Sequence, residues 1–256
     1  MGSAKEYTRE LREAPDTVEY LRQRSGMPGP RANLELLWAA AEFGDEATLR
    51  EWIGLGFPEP GHEQPSDEFL AGCGIVGLGR LVAGGLREAI EELRRYASDA
   101  RWRVREAVAM ALQRIGDEDA GLLFEIASAW AAGRPYEQRA AVAGVAEPRL
   151  IKTRAAAQAA IDVVDTVTER FSVSGDRRSD ESRTLRQALG YCWSVVVVAY
   201  PECGRPRMER WAASTDPDIS WVLRENLKKN RLLRLDSHWV NLVKERVGKG
   251  APGFRP

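Results

Sequence analysis

An aspartate followed six residues later by an arginine recurs along the chain, at Asp99 and Arg105, Asp180 and Arg186, and Asp218 and Arg224. Each arginine lies between an apolar residue just before it (Val104, Leu185, Leu223) and another three positions after it (Val108, Leu189, Leu227). The arginines are 81 and 38 residues apart (186 − 105 and 224 − 186), which makes two repeats and then one of about 40 residues. A weaker copy at Arg139 fills the gap, keeping Ala141, Val142 and Val145 but with Gly133 in the aspartate's place. A period of this length carries two helices per unit, and each unit leaves an apolar face that only the next can bury. The expected architecture is therefore a stack of helical hairpins.

The helices are legible from apolar spacing. In WRVREAVAMALQRI, Val104, Ala107, Val108, Ala111, Leu112 and Ile115 form one stripe at the 3.6-residue period. On the repeat grid, second helices are expected near 101, 135, 182 and 218, and first helices near 86, 118, 149 and 204. Upstream, LELLWAAAEF and EATLREWIGLG make a shorter pair, GFPEPGHEQPSD a loop that is either a boundary or an insertion, and DEFLAGCGIVGLGRLV a further helix. Almost no alternating strand pattern appears, so the fold class is all-α. Residues 1–30 read as a charged arm, with a helix candidate at AKEYTRELREA and a helix-stopping SGMPGPR, mobile unless docked. The repeat region spans 31–249, clearest over 86–235, and a tail at 250–256 is expected to fray.

Composition removes several function classes. Lys plus Arg (37) nearly cancels Asp plus Glu (38), so any surface for a polyanion must be local. Cys73, Cys192 and Cys203 form no C-x-x-C, and two histidines, His62 and His238, form no H-x-x-H, so neither a disulfide scaffold nor a metal centre is expected. No apolar run exceeds Val195 to Tyr200, far short of about 20 residues for a membrane span. The expectation is a cytoplasmic protein, monomeric by preference, with no membrane contact and no cofactor. GCGIVG (Gly72, Gly74, Gly77), with Glu92 beyond it, matches the letters of a dinucleotide fingerprint, but the flanking pattern is helical and lacks the required strand. Its glycines are read as close helix packing. Cys192, beside Leu189, Trp193 and Val196 on an apolar stripe, reads as a buried thiol.

The segments Ser98 to Gly116, Asp180 to Tyr200 and Asp218 to Leu235 resemble HEAT repeats. The resemblance implies a right-handed superhelical α-solenoid whose second helices line a concave groove. In it the aspartate caps the second helix, and the arginine reaches the next unit's aspartate to make a ladder. Two tryptophans occupy equivalent places in it, Trp102 and Trp221, within a shared W-x-φ-R-E pattern 119 residues apart (221 − 102). Glu106 and Glu225 follow them by one helical turn and so share their faces. With Arg101 and Arg103, these faces could line a groove with aromatic platforms.

The tryptophan-rich second helices are similar to those of the DNA alkylation repair glycosylases, a family of HEAT-like proteins. That resemblance implies a metal-free excision of alkylated purines, in which Trp102 and Trp221 hold the cationic base and Glu106 or Glu225 is the acid. The family's tryptophan is followed one turn later by aspartate. Here glutamate stands there after Trp102, Trp221 and Trp38 (Glu42), and no W-x-x-x-D occurs.

A second candidate surface lies in ENLKKNRLLRLD, where Asn226, Asn230, Arg231 and Arg234 take the places of Ala107, Ala111, Leu112 and Ile115. Residues 205–256 carry 12 Lys or Arg against 6 Asp or Glu, a net charge of +6. Arg224, Lys228, Lys229, Arg231 and Arg234 are the expected contacts to an anionic partner. The function expected from the sequence is a non-catalytic binding or scaffolding module holding a protein or DNA. The alternative is the glycosylase.

Overall fold

The computed structural model describes residues 3–249, which lie outside the expected tail at 250–256. Among the described residues there are fourteen α-helices and no strand. They divide into two compact units, Met1–Asp119 and Ala120–Pro256.

The first unit holds α1 (Ala4–Glu13), α2 (Thr17–Arg24), α3 (Leu34–Phe43), α4 (Glu46–Leu55), α5 (Asp67–Ala83), α6 (Ala89–Tyr96) and α7 (Trp102–Glu118). Helix α5 is its centre, packing against α3, α4 and α7. The six stripe residues predicted for α7 are all buried. The letters of the dinucleotide fingerprint fall inside α5, so that reading fails, and its glycines pack helices instead. A Cβ at Gly74 would lie 2.5 Å from the Leu49 carbonyl oxygen of α4, and one at Gly79 would lie 2.5 Å from that of Ala111 on α7. Only glycine lets the three backbones approach so closely.

The charged arm is docked. Helix α1 packs on α3 and α2 on α5, burying Tyr7, Leu11 and Leu21. Polar contacts hold the arm as well: Asn33, the N-cap of α3, donates to the Tyr7 hydroxyl at 2.9 Å, and Arg22 pairs with the buried Asp67 at 3.3 Å. The charge pattern concealed these few apolar anchors. The Pro- and Gly-rich loop at 56–66 joins α4 to α5 inside this unit, so it is no boundary.

The second unit contains α8 (Ala120–Ala131), α9 (Pro135–Val145), α10 (Arg154–Ser172), α11 (Asp180–Ala199), α12 (Pro201–Ala212), α13 (Pro217–Leu227) and α14 (Asn230–Arg246). Helices α9, α11 and α13 pack side by side in chain order, each paired with its predecessor α8, α10 or α12. Proline at the first turn of α9, α12 and α13 sets their starts, because its missing N–H has no helical partner there anyway. The repeat grid located α8 to α13 to within about five residues.

The repeat residues divide their roles differently from the expectation. Arg186 of α11 does reach Asp218 of α13, at 2.5 Å, while Arg177 pairs with Asp216 at 2.7 Å. The caps, however, are Ser179 for α11 and Asp216 for α13, whose side chains accept from the first-turn amides. Helix α7 has no side-chain cap: Asp99 is turned to the Arg101 side chain at 2.9 Å, and Arg105 donates to the carbonyls of Asp99 and Ala100 at 2.6 and 2.7 Å.

The last repeat departs most from the sequence reading. Helix α13 stops at Leu227, and a turn at Lys228 and Lys229 starts α14, so the grid loses register there. Asn226 does stand in for Ala107, but as a fully buried residue and not as part of a polar surface. Helix α14 bends at Asp236, whose carboxylate accepts from the Trp239 amide at 2.9 Å and caps the expected helix DSHWVNLVKERV.

Candidate functional site

The first unit carries a groove of about 780 Å³ that brings together residues far apart in sequence. Its floor is apolar: Leu37 of α3, Phe69 and Gly72 of α5, and Ala107 and Met110 of α7. Gly72 keeps the floor open, since a Cβ there would come 3.2 Å from Leu37 Cδ1. One wall is α7, which presents Trp102, Arg103 and Glu106 along a single face. The opposite wall is the connection between α2 and α3, from Arg24 to Glu35.

That connection is built from hydrogen bonds. Ser25, fully buried, accepts from the Met27 amide at 3.0 Å and its carbonyl accepts from the Asn33 amide at 2.8 Å. The Asn33 side chain adds a bond to the Arg24 carbonyl at 3.1 Å. A segment expected to end a loose arm is thus a shaped wall. The sequence signal for it was slight: Ser25 and Asn33 flank the Gly- and Pro-rich stretch, but nothing local shows that their backbones meet.

Trp102 is 54% exposed, an unusual state for so large an apolar side chain. The Arg103 guanidinium lies 4.6 Å from the indole centroid and also reaches Glu68 and the Gly29 carbonyl, each at 3.5 Å. It therefore props the indole from the α7 side while tying that wall to α5 and to the opposite turn. Charges of both signs border the apolar floor, with Arg24, Arg31 and Arg103 against Glu35, Glu68 and Glu106. Such a surface can hold an apolar or aromatic group and pair charges at its edges.

Arg101, expected beside Trp102, points elsewhere. It stacks over Phe57 at 4.0 Å and donates to the Gly56 carbonyl at 2.8 Å, securing the loop after α4. Glu42, one turn after Trp38, is bound by Arg114.

The second W-x-φ-R-E copy lies in the other unit and has another fate. Trp221 is partly buried against α11 at Gly190, with the Arg186 guanidinium 4.4 Å from its centroid, and the Glu225 stem packs at the same glycine. The Glu225 carboxylate accepts from Lys228. Arg224 is exposed and donates to the Val247 carbonyl at 3.4 Å. Lys229 and Arg231 gather on Tyr191 of α11, with Lys229 Nζ 5.6 Å and Arg231 Cζ 4.6 Å from the ring centroid, while Arg234 is exposed one turn along α14. The five cations thus belong to two helix ends and a turn, and sequence reasoning missed the tyrosine that organises them.

Among the described residues no group of three or more His, Cys, Asp or Glu side chains is placed to hold a metal ion, and no helix is long and apolar enough to cross a membrane. Cys73 and Cys192 are buried, and burial pushes the Cys73 thiol well above its usual range, which keeps it un-ionised. The sequence matches no protein-family model and no curated protein.

Proposed function

We propose that the chain is a HEAT-like α-solenoid protein acting as a non-catalytic binding module, and that the groove of its first unit holds a basic amphipathic segment of a partner protein. The solenoid part of this reading is supported by the repeat period and by the Arg186–Asp218 pair, which joins second helices as a repeat ladder would.

The observation that carries the binding reading is Trp102, half exposed on the wall of an apolar groove. Tryptophan is enriched among the residues that anchor a partner, and an apolar floor with a charged border matches the anatomy of a recognition groove. The sign of the partner follows from the first unit's charge. Residues 1–119 hold 15 Lys or Arg against 22 Asp or Glu, a net charge of −7, which favours a basic segment in approach and in register.

The test uses two fluorescent helical peptides with the same apolar spacing, one with lysine and one with glutamate on the polar face. The lysine peptide should bind, the glutamate peptide should not, and Trp102→Ala should weaken the lysine complex at least tenfold. Equal binding of both peptides, or binding indifferent to Trp102→Ala, would sink the proposal.

One observation favours a second reading: Trp102 and Glu106, the indole and acid expected of a glycosylase-like site, line the same groove. An indole can hold a cationic base, and a carboxylate can stabilise the oxocarbenium-like sugar as the base departs. Release of alkylated purine from duplex DNA that disappears in Glu106→Gln would establish this reading. No release above the uncatalysed rate would remove it.

A further inference from the structure

We infer that the turn between α13 and α14 is a binding site for the phosphate backbone of a nucleic acid, with Lys229, Arg231 and Arg234 as contacts and Tyr191 as the residue that arrays them. The site is separate from the groove of the first unit and does not depend on what that groove holds.

Several arginines of the second unit are spent on carboxylates. Arg177 and Arg186 are bound to Asp216 and Asp218, Arg205 to Asp236, and Arg207 and Arg210 to Asp162 and Asp165. At the α13–α14 turn the partner changes character. Lys229 and Arg231 converge on a neutral ring, and Arg231 donates to the Tyr191 hydroxyl at 2.6 Å. Cation–π contact holds both heads in place without cancelling their charge, as a carboxylate would. It leaves the phenol proton free to donate to an oxyanion beside them, because the phenol oxygen is the acceptor from Arg231. Tyr191 is 45% exposed, so this cluster faces solvent.

The spread of the cations selects a polymeric anion. Arg231 and Arg234 are three residues apart, about 4.5 Å along the axis of α14. Lys228 and Arg224 extend the cationic stretch by a further turn on α13, although Lys228 shares its charge with Glu225. A single phosphate would use one or two of these groups, whereas a backbone with a charge every few ångströms can use them all. A lipid surface fits less well. Leu227 and Leu232 are fully buried, and Leu233 and Leu235 are partly buried, so no exposed leucine stands beside the cations to insert into a bilayer.

Binding of a fluorescein-labelled 20-base-pair duplex and of its single strand would be measured from 50 to 200 mM NaCl with the full chain. Binding to at least one should weaken with salt. The K229Q/R231Q/R234Q variant should lose at least tenfold in affinity, and the slope of log K on log salt should fall by about 2 to 3. The exposed Arg234→Gln alone should lower the slope by about 1 without disturbing Tyr191, so misfolding of the triple variant does not block the test. Tyr191→Phe, which keeps the ring, should bind better than Tyr191→Ala. Lys152→Gln, an exposed cation outside both sites, should change nothing. No DNA binding at 50 mM salt, or variants at 229–234 that bind like the parent, would overturn the inference. Binding to phosphatidylserine vesicles without binding to either DNA would overturn it too.

Discussion

The side chain of Asn226 on α13 accepts the Ser194 amide of α11 at 2.8 Å. Its own amide nitrogen donates to the carbonyls of Leu189 and Val222, both at 2.8 Å. Asn226 is fully buried, and it sits where the equivalent unit of α7 has Ala107. One polar side chain thus joins the backbones of α11 and α13, and it fixes the α11 segment that carries Tyr191.

Replacing Asn226 by alanine strips partners from buried backbone groups that water cannot reach. The expected cost is about 1–3 kcal/mol, read from urea unfolding. Asn226→Leu should be no better, because an apolar group satisfies neither the Ser194 amide nor the Leu189 carbonyl.

The Asp216 carboxyl titrates below the ordinary carboxylate range. Burial by itself would raise it, but the Ile219 amide and the Arg177 guanidinium outweigh that effect. Its folded value is lower than its unfolded one, so its contribution to stability is fully present above the ordinary range and is lost as pH falls through the lowered value. Asp216→Asn should therefore reduce stability at pH 7, and the gap between variant and parent should close on acidification below about pH 4. A gap that stayed constant with pH would contradict this assignment.

Gly74→Ala tests the packing of α5. Alanine is the better helix former by about 1 kcal/mol, so an open helix would gain. Here the added Cβ would meet the Leu49 carbonyl and the Ile53 side chain, both at 2.5 Å. Overpacking should win, giving a net loss of about 1–3 kcal/mol in thermal or chemical unfolding.

Trp102→Ala should behave in the opposite way. The side chain is half exposed, so unfolding should change by no more than about 0.5 kcal/mol while peptide binding falls. A large loss of stability would mark Trp102 as a packing residue and not a recognition residue.

The Arg186–Asp218 pair is partly exposed, so its coupling should be small. A double-mutant cycle with Arg186→Gln and Asp218→Asn should give about 1 kcal/mol or less, shrinking with added salt. Arg186 also rests on Trp221, so the arginine variant should cost more than the aspartate variant.

Much of the helical framework was legible because it is written in local spacing. The α7 stripe and the six-residue spacing from each aspartate to its arginine depend on residues within a turn or two of one another. The grid failed where a local choice broke the period: after Leu227 the chain turns at Lys228–Lys229, and Arg231 and Arg234 pass to a new helix. Arg101 was misplaced for a related reason. Its position before α7 was readable, but its partners Gly56 and Phe57 lie some 45 residues upstream.

The sequence by itself determined an all-helical chain, the approximate limits of its helices and the residues that face its core, since apolar periodicity and helix-breaking residues act over a few positions. The tertiary structure alone decided what the surfaces are. It docked the charged arm through Tyr7, Leu11 and Leu21, and made the 24–35 connection into the wall opposite Trp102. It also buried Asn226 while leaving Tyr191 exposed under two cations. Each of these outcomes depends on groups brought together from distant parts of the chain, and no local pattern records which backbone a side chain will meet.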